Sequence, residues 1–411
     1  MSPNVDQLVR SDRIHTSLYT DPAIFEAEMD RIFSNTWVWV AHASEVPESG
    51  SFKMAHVGRQ PVIVTRDREG QVHVLLNRCR HRAGSVCEER KGKTAGFVCR
   101  YHGWSYDLTG RLRGVPHPSG YGPEFNKGDY PLGSLRVEEY AGMLFATLRH
   151  DIESLADYLG PARKWIDLFM KQGAGFGVAA AGEHRFRFRG NWKIQLENTT
   201  DAYHFPIVHR SFITSLDDAT QDQFDVLRQG GWVEDLGNGH SVMVMMPHLV
   251  DLETGLDEPV PERFQPLARE LARDHAPEEV RRIVRAVGGS GFNINLFPNI
   301  ACSMSFFRVL RPLAVDETEI THIALRMAGG PEAANRERLR LHEHFQGPMG
   351  FGTPDDAEGW ERVQRGAAAG EDLWIMLNRG RDDLGTPTGS DVSAETGMRA
   401  AYQMWKRMMT Q

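Results

Sequence analysis

The spacing of apolar residues predicts a helix near the start of the chain. Apolar side chains recur every three or four positions and so lie along one helical face: Ile24, Phe25, Met29, Ile32 and Phe33. Asp21 is a favourable N-cap, and Pro22 suits the first helical position because no N–H is needed there. We therefore predict an amphipathic helix that begins at Pro22.

Beyond residue 40 the pattern changes to short apolar stretches separated by turns rich in Asp and Gly. These stretches predict two hairpins, residues 61–66 with 71–76 and residues 104–106 with 111–114, and one further strand at residues 141–148. Residues 40–150 are therefore predicted to form a small all-β domain.

The rest of the chain mixes strands with long helices. The predicted strands are residues 183–189, 241–246, 303–310 and 319–327, and the predicted helices are residues 155–170, 262–287, 331–345, 357–380 and 394–408. Strands in antiparallel hairpins beside separate helices favour an α+β fold over alternating βαβ units. We predict a second, larger domain of residues 1–39 and 151–411, in which helices cover an antiparallel sheet.

Composition narrows the class of protein. The 411 residues are 41% hydrophobic and 25% charged, and the net charge of −8 argues against nucleic acid or an anionic membrane as the main partner. No apolar run reaches the roughly 18 residues of a membrane span, and the first residues lack a signal-peptide pattern. Four cysteines make no disulfide framework, so we expect a cytoplasmic protein. Cys87 and Cys302 are interpreted as inert thiols.

Residues 191–209 concentrate side chains that bind metals. Glu197, Asp201 and His204 are spaced by four and three residues, and a continuous helix would place them on one face. Pro206 is expected to kink or break that helix, which would bring His209 back towards His204. Imidazoles beside carboxylates indicate a site for a metal with nitrogen and oxygen ligands. A partly buried helix with two hydrogen-bonded histidines explains this stretch equally well.

Two motifs in the predicted β domain carry one cysteine and one histidine each. Cys79 stands two positions before His81, and Cys99 stands three before His102. Such a set could bind a tetrahedral zinc ion, although zinc motifs more often pair Cys with Cys and His with His. One cysteine and one histidine per loop is typical of a Rieske [2Fe–2S] centre, in which both thiolates hold one iron and both imidazoles hold the other.

Together these motifs resemble the α subunit of Rieske non-haem iron aromatic-ring-hydroxylating dioxygenases. The resemblance covers nearly the whole chain, and the N-terminal half is similar to the benzoate, anthranilate and salicylate branch. It implies a mononuclear Fe(II) held by His204, His209 and Asp356, the second Asp of an Asp-Asp-x-Glu-x-Trp segment. Asp355 or Asp356 could instead cap the helix that follows. Ala83 departs from the family, which usually has Gly directly after His-Arg.

The resemblance also implies how the centres communicate. Asp201 matches the family's bridging aspartate, which hydrogen-bonds the first iron histidine, here His204, and meets the second Rieske histidine, here His102, across a subunit boundary. The family forms head-to-tail rings, usually trimers, and the C-terminal segment resembles α subunits that pair with a small β subunit. Electrons would come from NADH through a separate reductase, with or without a ferredoxin, since the chain lacks a dinucleotide-binding fingerprint.

The function implied is that of a terminal oxygenase that inserts O2 into the ring of an aromatic carboxylate. The alternatives are a Rieske monooxygenase that hydroxylates or demethylates, a Rieske electron carrier whose second domain is not catalytic, and a zinc hydrolase. An apolar pocket is expected around Phe205, Met243, Met245 and residues 291–300, all of which also fit plain core positions. A basic residue should face the substrate carboxylate, but the sequence does not identify one.

Overall fold

The chain forms two compact units in the computed structural model, which describes residues 5–216, 221, 225–370, 373–381 and 390–411. Met29–Tyr158 form the smaller unit, and Met1–Glu28 with Leu159–Gln411 form the larger one. The functional boundaries at residues 40 and 150 stay a prediction.

The smaller unit contains the predicted hairpins. Its seven-stranded sheet has the spatial order Val38–His42, Met143–Thr147, Ser134–Tyr140, Val72–Leu76, Gln60–Arg66, Ser51–Val57 and Lys91–Lys93. A three-stranded sheet consists of Phe97–Val98, Ser105–Tyr106 and Leu112–Gly114. Both predicted hairpins pair antiparallel, as expected for strands joined by short turns.

The apolar core of the smaller unit lies directly beneath the two Cys-His motifs. Trp104, Tyr106 and Leu108 belong to one buried cluster that also includes Cys79 and Cys99. The thiols are therefore attached to a packed core, which holds them rigidly compared with groups on a free loop.

The larger unit is built on one eight-stranded sheet. Its spatial order is Val178–Phe188, Glu317–Met327, Phe306–Ala314, Ile300–Ser303, Phe292–Leu296, His240–Val244, Trp232–Gly237 and Ser390–Asp391. The strands predicted at residues 303–310 and 319–327 form an antiparallel hairpin, because Phe306–Ala314 pairs with Glu317–Met327. A two-stranded sheet pairs Arg13–His15 with Trp374–Met376. Antiparallel strands with separate helices confirm the α+β class.

The α-helices of the larger unit are Val5–Leu8, Ser17–Thr20, Pro22–Glu28, Ala162–Met170, Trp192–Asn198, Phe205–Val208, Arg210–Thr214, Gln265–Leu271, Pro277–Val287, Glu332–Gln346, Thr353–Ala368 and Thr396–Thr410. The smaller unit contains the π-helical segment Met29–Phe33, and the helix Leu155–Leu159 runs across its boundary with the larger unit. The predicted start at Pro22 is confirmed: the Asp21 carboxylate accepts a hydrogen bond from the Ala23 N–H at 2.8 Å. None of the helices in the described ranges combines the length and apolar composition that a membrane span requires.

Three predicted helices were wrong in length. The helix predicted at 155–170 is interrupted at Gly160, whose φ of 46° is left-handed. The helix predicted at 262–287 is divided because Pro277 begins a new one. The helix predicted at 357–380 ends at Ala368, and a strand follows it at Trp374–Met376. Residues 371–372 of that prediction lie outside the described residues.

Candidate metal centres

The first Cys-His loop is closed by its own backbone. The Cys79 N–H donates to the Gly84 carbonyl at 2.8 Å, and the Ala83 N–H donates back to the Cys79 carbonyl at 3.0 Å. Ala83 has a φ of 59°, the left-handed conformation that Gly adopts more easily. The departure from the family's glycine therefore leaves the turn in place, with the local strain carried by Ala83.

The second loop repeats the same pattern. The Cys99 N–H donates to the Trp104 carbonyl at 2.8 Å, and the Gly103 N–H donates to the Cys99 carbonyl at 2.9 Å. Here Gly103 occupies the left-handed position, with a φ of 71°. Two loops of matching form thus present one thiol and one imidazole each.

The two imidazoles face each other. His81 Nδ1 and His102 Nδ1 lie 3.1 Å apart, and the Trp104 ring stacks on His81 with ring centroids 5.1 Å apart. Partial desolvation and then the neighbouring His102 lower the pKa of His81, which favours the neutral ring that binds metals. With metal–nitrogen bonds of about 2.1 Å, two nitrogens at this separation suit a single ion.

Tyr106 supports the thiol side of this site. Its hydroxyl lies 3.3 Å from Cys79 Sγ and accepts a hydrogen bond from the Arg80 N–H at 3.1 Å. Burial and then the contact with Cys79 raise the pKa of Tyr106, so the phenol keeps its proton and can donate it to a thiolate. No spacing in the sequence indicated this residue, because it reaches Cys79 from a neighbouring strand.

The second centre is built differently from the sequence prediction. The predicted helix over Glu197, Asp201 and His204 ends at Asn198, so these three side chains do not share one helical face. Asp201 Oδ1 accepts from the N–H of Tyr203 at 2.8 Å, which starts a turn. Pro206 does not kink a helix but stands in the first turn of the next one, Phe205–Val208, where its missing N–H costs nothing.

His209 ends that short helix and precedes the helix Arg210–Thr214. Its backbone, with φ −98° and ψ 25°, leaves the helical conformation, and its ring lies 5.5 Å from that of His204. The break in the chain, rather than a kink, brings the two imidazoles together.

Asp356 completes a three-residue cluster. Its Oδ1 lies 3.4 Å from His204 Nε2 and 3.2 Å from His209 Nε2, and one ligand atom from each residue lies within 4.8 Å of the others. His209 is 1% exposed and Asp356 4%. Two imidazoles and one carboxylate form a 2-His-1-carboxylate set, which holds ferrous iron on one face and leaves other positions open.

The alternative role for the aspartates, helix capping, does not match the structure. The helix begins at Thr353 after Gly352, with no side-chain capping bond. Asp356 therefore lies within the first turn and Asp355 lies outside the cluster.

Electrostatics favours a cation between these side chains. Burial opposes ionisation of Asp356, but hydrogen bonds from His204 and His209 outweigh it and lower the pKa. Burial likewise opposes the charged form of His204, but Asp201 and then Asp356 raise its pKa to about 9. A buried carboxylate that attracts positive charge this strongly fits a divalent ion.

Two polar neighbours orient this cluster. Asp201 Oδ2 lies 3.3 Å from His204 Nδ1, on the side of the ring opposite Asp356. Asn198 Nδ2 lies 3.2 Å from His204 Nε2 and 3.3 Å from Asp356 Oδ1. Asn198 therefore reaches two of the three candidate ligands.

Glu197, also singled out in the sequence, points to a different network. Its carboxylate accepts hydrogen bonds from Tyr19 and Tyr402. Burial, outweighing these bonds, raises its pKa to about 7. The residue therefore joins the helix Trp192–Asn198 to the C-terminal helix rather than facing the cluster.

A buried ion pair fixes the same helix. Glu28 accepts from Lys193 Nζ at 2.5 Å, from Trp192 Nε1 at 2.8 Å and from Trp405 Nε1 at 2.6 Å. Glu28 is fully buried and Lys193 is 1% exposed. The sequence did not indicate this network, because its members lie in three distant parts of the chain.

Comparison with known proteins defines the class. Residues 36–137 match the Rieske [2Fe-2S] domain, and residues 177–411 match the ring hydroxylating alpha subunit (catalytic domain). The second match spans more than half of the chain, so the chain belongs to the ring-hydroxylating alpha subunits. It is an oxidoreductase of the aromatic-ring dioxygenase family, with a Rieske [2Fe–2S] cluster and a mononuclear iron as its cofactors.

Individual relatives are similar over most of their length. The anthranilate 1,2-dioxygenase large subunit of Acinetobacter baylyi is 31% identical over 390 residues, which cover 90% of this chain and 80% of the relative. The N,N-dimethyl phenylurea N-demethylase subunit alpha of a Sphingobium species is 32% identical over 403 residues, covering 92% and 85%. The crystal structure of naphthalene 1,2-dioxygenase from a Rhodococcus species bound to indole matches with a TM-score of 0.79 and 28% identity, covering 97% of this chain and 94% of that one.

Proposed function

We propose that this chain is the terminal oxygenase subunit for an aromatic carboxylate. Its iron would be held by His204, His209 and Asp356. The observation that carries the proposal is the approach of Asp356 to both histidines, at 3.4 and 3.2 Å, from a helix far along the chain. The similarity to an anthranilate dioxygenase favours an aromatic acid as substrate.

The cluster would be held by Cys79, His81, Cys99 and His102, within the functional domain of residues 40–150. The matching hydrogen bonds of the two loops and the facing His81 and His102 rings support this assignment. When bound, the cluster passes single electrons and the ferrous ion activates O2.

The protein groups around the iron position it and keep water away. His209 and Asp356 are almost fully buried, so the field of the carboxylate is little screened by solvent. Asp201 Oδ2, 3.3 Å from His204 Nδ1, would orient this ring, and Asn198 Nδ2 donates to Asp356 Oδ1 at 3.3 Å and so restrains it.

The substrate would lie beside the iron site formed by His204, His209 and Asp356, against apolar side chains. The Phe205 ring lies 5.1 Å from that of His209, and Phe205 packs on a buried cluster that includes Met243 and Met245. Part of the candidate segment at residues 291–300 has another task. Asn293 and Asn295 donate from Nδ2 to the Thr199 and Leu196 carbonyls at 3.1 and 2.6 Å, which holds the C-terminal end of the helix Trp192–Asn198.

The family works with a reductase and a ferredoxin electron chain on aromatic substrates and oxygen. For this chain we propose electrons from NADH, a trimer of α subunits and a small β subunit. In that trimer Asp201 would join His204 to the Rieske His102 of the neighbouring copy, which gives the electron a short path. Asp201 is partly exposed, as an interface residue of this kind requires.

The decisive experiment supplies the purified chain with reductase, ferredoxin and NADH and measures O2 uptake over a panel of benzoates and anthranilates. Labelled O2 should place both oxygen atoms in one cis-diol product. The His204→Ala variant should abolish product formation while keeping the cluster spectrum. Full turnover by His204→Ala would refute the proposal and leave only an electron carrier.

A demethylase is the second candidate, because one relative of similar identity is an N-demethylase subunit. Such an activity would incorporate one labelled oxygen atom and release formaldehyde. The same panel, extended to N-methylated arylureas, distinguishes the two reactions.

A further inference from the structure

A second group of histidines lies at one edge of the eight-stranded sheet of the larger unit. His184 on Val178–Phe188 stands opposite His322 on Glu317–Met327 in the strand register. His342 approaches both from the helix Glu332–Gln346, and its ring lies 5.7 Å from that of His184. None of these residues takes part in the reaction described above.

His322 already has partners. Its Nε2 accepts a hydrogen bond from Arg308 Nε at 3.0 Å, and its Nδ1 lies 3.4 Å from the Gln346 carbonyl. Both ring nitrogens therefore have hydrogen-bond partners, which hold the His322 ring in place beside His184 and His342.

His342 and His184 are not satisfied in this way. His342 is 4% exposed, and both of its ring nitrogens are buried without a hydrogen-bond partner in the described part of the chain. The same holds for His184 Nε2. Buried ring nitrogens without partners are rare in folded proteins, which indicates that a ligand belongs here.

Glu343 supplies a third donor. One nitrogen of His184, one nitrogen of His342 and a Glu343 carboxylate oxygen all lie within 4.8 Å of one another. We propose that these three residues bind a divalent transition-metal ion, Zn²⁺, in addition to the two iron centres. Two imidazoles and a carboxylate suit zinc, which would keep a fourth position for water.

The charge state of the two rings is favourable for metal binding. Burial, followed by His184, Arg338 and Arg308, lowers the pKa of His342 to about 4. Burial also lowers the pKa of His184, with the Glu343 carboxylate acting in the opposite direction. Neutral rings keep a lone pair for the metal at neutral pH, and the Glu343 charge offsets the repulsion from the arginines.

The proposed site reaches solvent through Glu343 and lies between two elements. Glu343 is exposed and lines an open groove of about 820 Å³ together with Glu332 and Arg340. A bound ion would join the strand Val178–Phe188 to the helix Glu332–Gln346. The final residue of that helix, Gln346, accepts a hydrogen bond from Thr353 Oγ1 at 3.0 Å, at the start of the helix that carries Asp356. The ion would thus stabilise the contact between Gln346 and the helix that carries Asp356, without taking part in the reaction.

The test is equilibrium dialysis of the iron-loaded enzyme against ZnCl2, with zinc counted by elemental analysis. Wild type should bind one zinc per chain beyond its iron. Glu343→Gln and His342→Gln should weaken this binding at least about tenfold. Glu332→Gln, on the same helix and groove, is the matched control and should bind as wild type does. His204→Ala should retain the zinc, which separates this site from the iron site.

Thermal unfolding gives an independent measurement. Zinc should raise the Tm of wild type and of Glu332→Gln, but not that of Glu343→Gln. Because Glu343 is exposed, its variant keeps the test valid even where His342→Gln fails to fold. Equal zinc binding by Glu343→Gln and Glu332→Gln, or no zinc bound by wild type at millimolar concentration, would overturn the proposal.

Discussion

The two candidate metal centres of this chain are assembled in opposite ways. The cluster loops are closed by their own backbone hydrogen bonds, and their histidine ends reach the surface, since His102 is exposed. The candidate mononuclear iron site joins a broken helical segment to a helix far along the chain. Its residues His209 and Asp356 are buried. The difference fits the tasks proposed for the two sites: a cluster that exchanges electrons has to be approached by partners, whereas an oxygen-activating ion has to be shielded from water.

The comparison also shows what each geometry depends on. Local backbone bonds position the candidate cluster ligands, so distant changes should affect them little. The buried contacts of Glu28 and Glu197 hold the helix Trp192–Asn198, which directly precedes the segment with the candidate iron ligands His204 and His209. Damage to that packing should therefore disturb the mononuclear iron site before the Rieske cluster. Four experiments test this difference.

The largest effect is expected at Asp356. Asp356→Asn removes the buried negative charge between the histidines, so we expect loss of the mononuclear iron and a fall in turnover of about 100-fold or more. The visible spectrum of the cluster should not change. Asp355→Asn is the matched control. It should keep iron and activity, because Asp355 does not belong to the group of candidate iron ligands. Equal iron loss in both variants would contradict the assignment.

The next experiment removes the buried Glu28 carboxylate, which packs against the helix Trp192–Asn198. Glu28→Ala leaves the buried Lys193 ammonium uncompensated, which should lower the free energy of unfolding by about 3 kcal/mol. Urea denaturation followed by tryptophan fluorescence measures the loss. The double variant Glu28→Gln with Lys193→Met should recover most of it, because both charges are removed. A cluster spectrum lost in parallel with the iron would show that the two centres are not independent.

Glu197 predicts a pH effect of a defined sign. Burial raises its pKa from 4.5 to about 7, so its contribution to stability is complete below pH 4.5 and is lost as the pH rises through 7. Glu197→Gln stays neutral and keeps the acceptor for both tyrosines. The variant should therefore gain in free energy of unfolding relative to wild type between pH 4.5 and 7, measured by denaturation at a series of pH values. A difference in free energy of unfolding between variant and wild type that stays constant across that range would show that Glu197 is not protonated in the folded protein. The variant Glu332→Gln, at an exposed position, is the control.

The smallest effect compares the two cluster loops directly. Ala83→Gly relieves a left-handed alanine and should stabilise the first loop by about 1 kcal/mol. Gly103→Ala should destabilise the second loop by more, because a Cβ there would lie 2.9 Å from Pro116 Cγ. The temperature at which the cluster absorption disappears measures both. Opposite signs for the two variants are expected, and equal signs would contradict the similarity of the loops.

Local features of this protein were readable from the sequence. The hairpins, the start of the helix at Pro22 and the two Cys-His loops depend on residues that are neighbours in the chain, so turn chemistry and spacing sufficed to predict them. The family resemblance supplied His204, His209 and Asp356 as candidates. Helix lengths were less predictable, because Gly160 and Pro277 interrupt segments whose apolar pattern continues.

Only the tertiary structure decided which distant groups meet. It placed Asp356 rather than Asp355 beside the histidines, brought Asn198 to two of the candidate ligands, and buried Glu28 against Lys193. It also assembled the His184, His342 and Glu343 cluster from a strand and a helix. Such contacts join residues far apart in sequence, and their partners are selected by how the sheet and helices pack, which residue spacing does not encode.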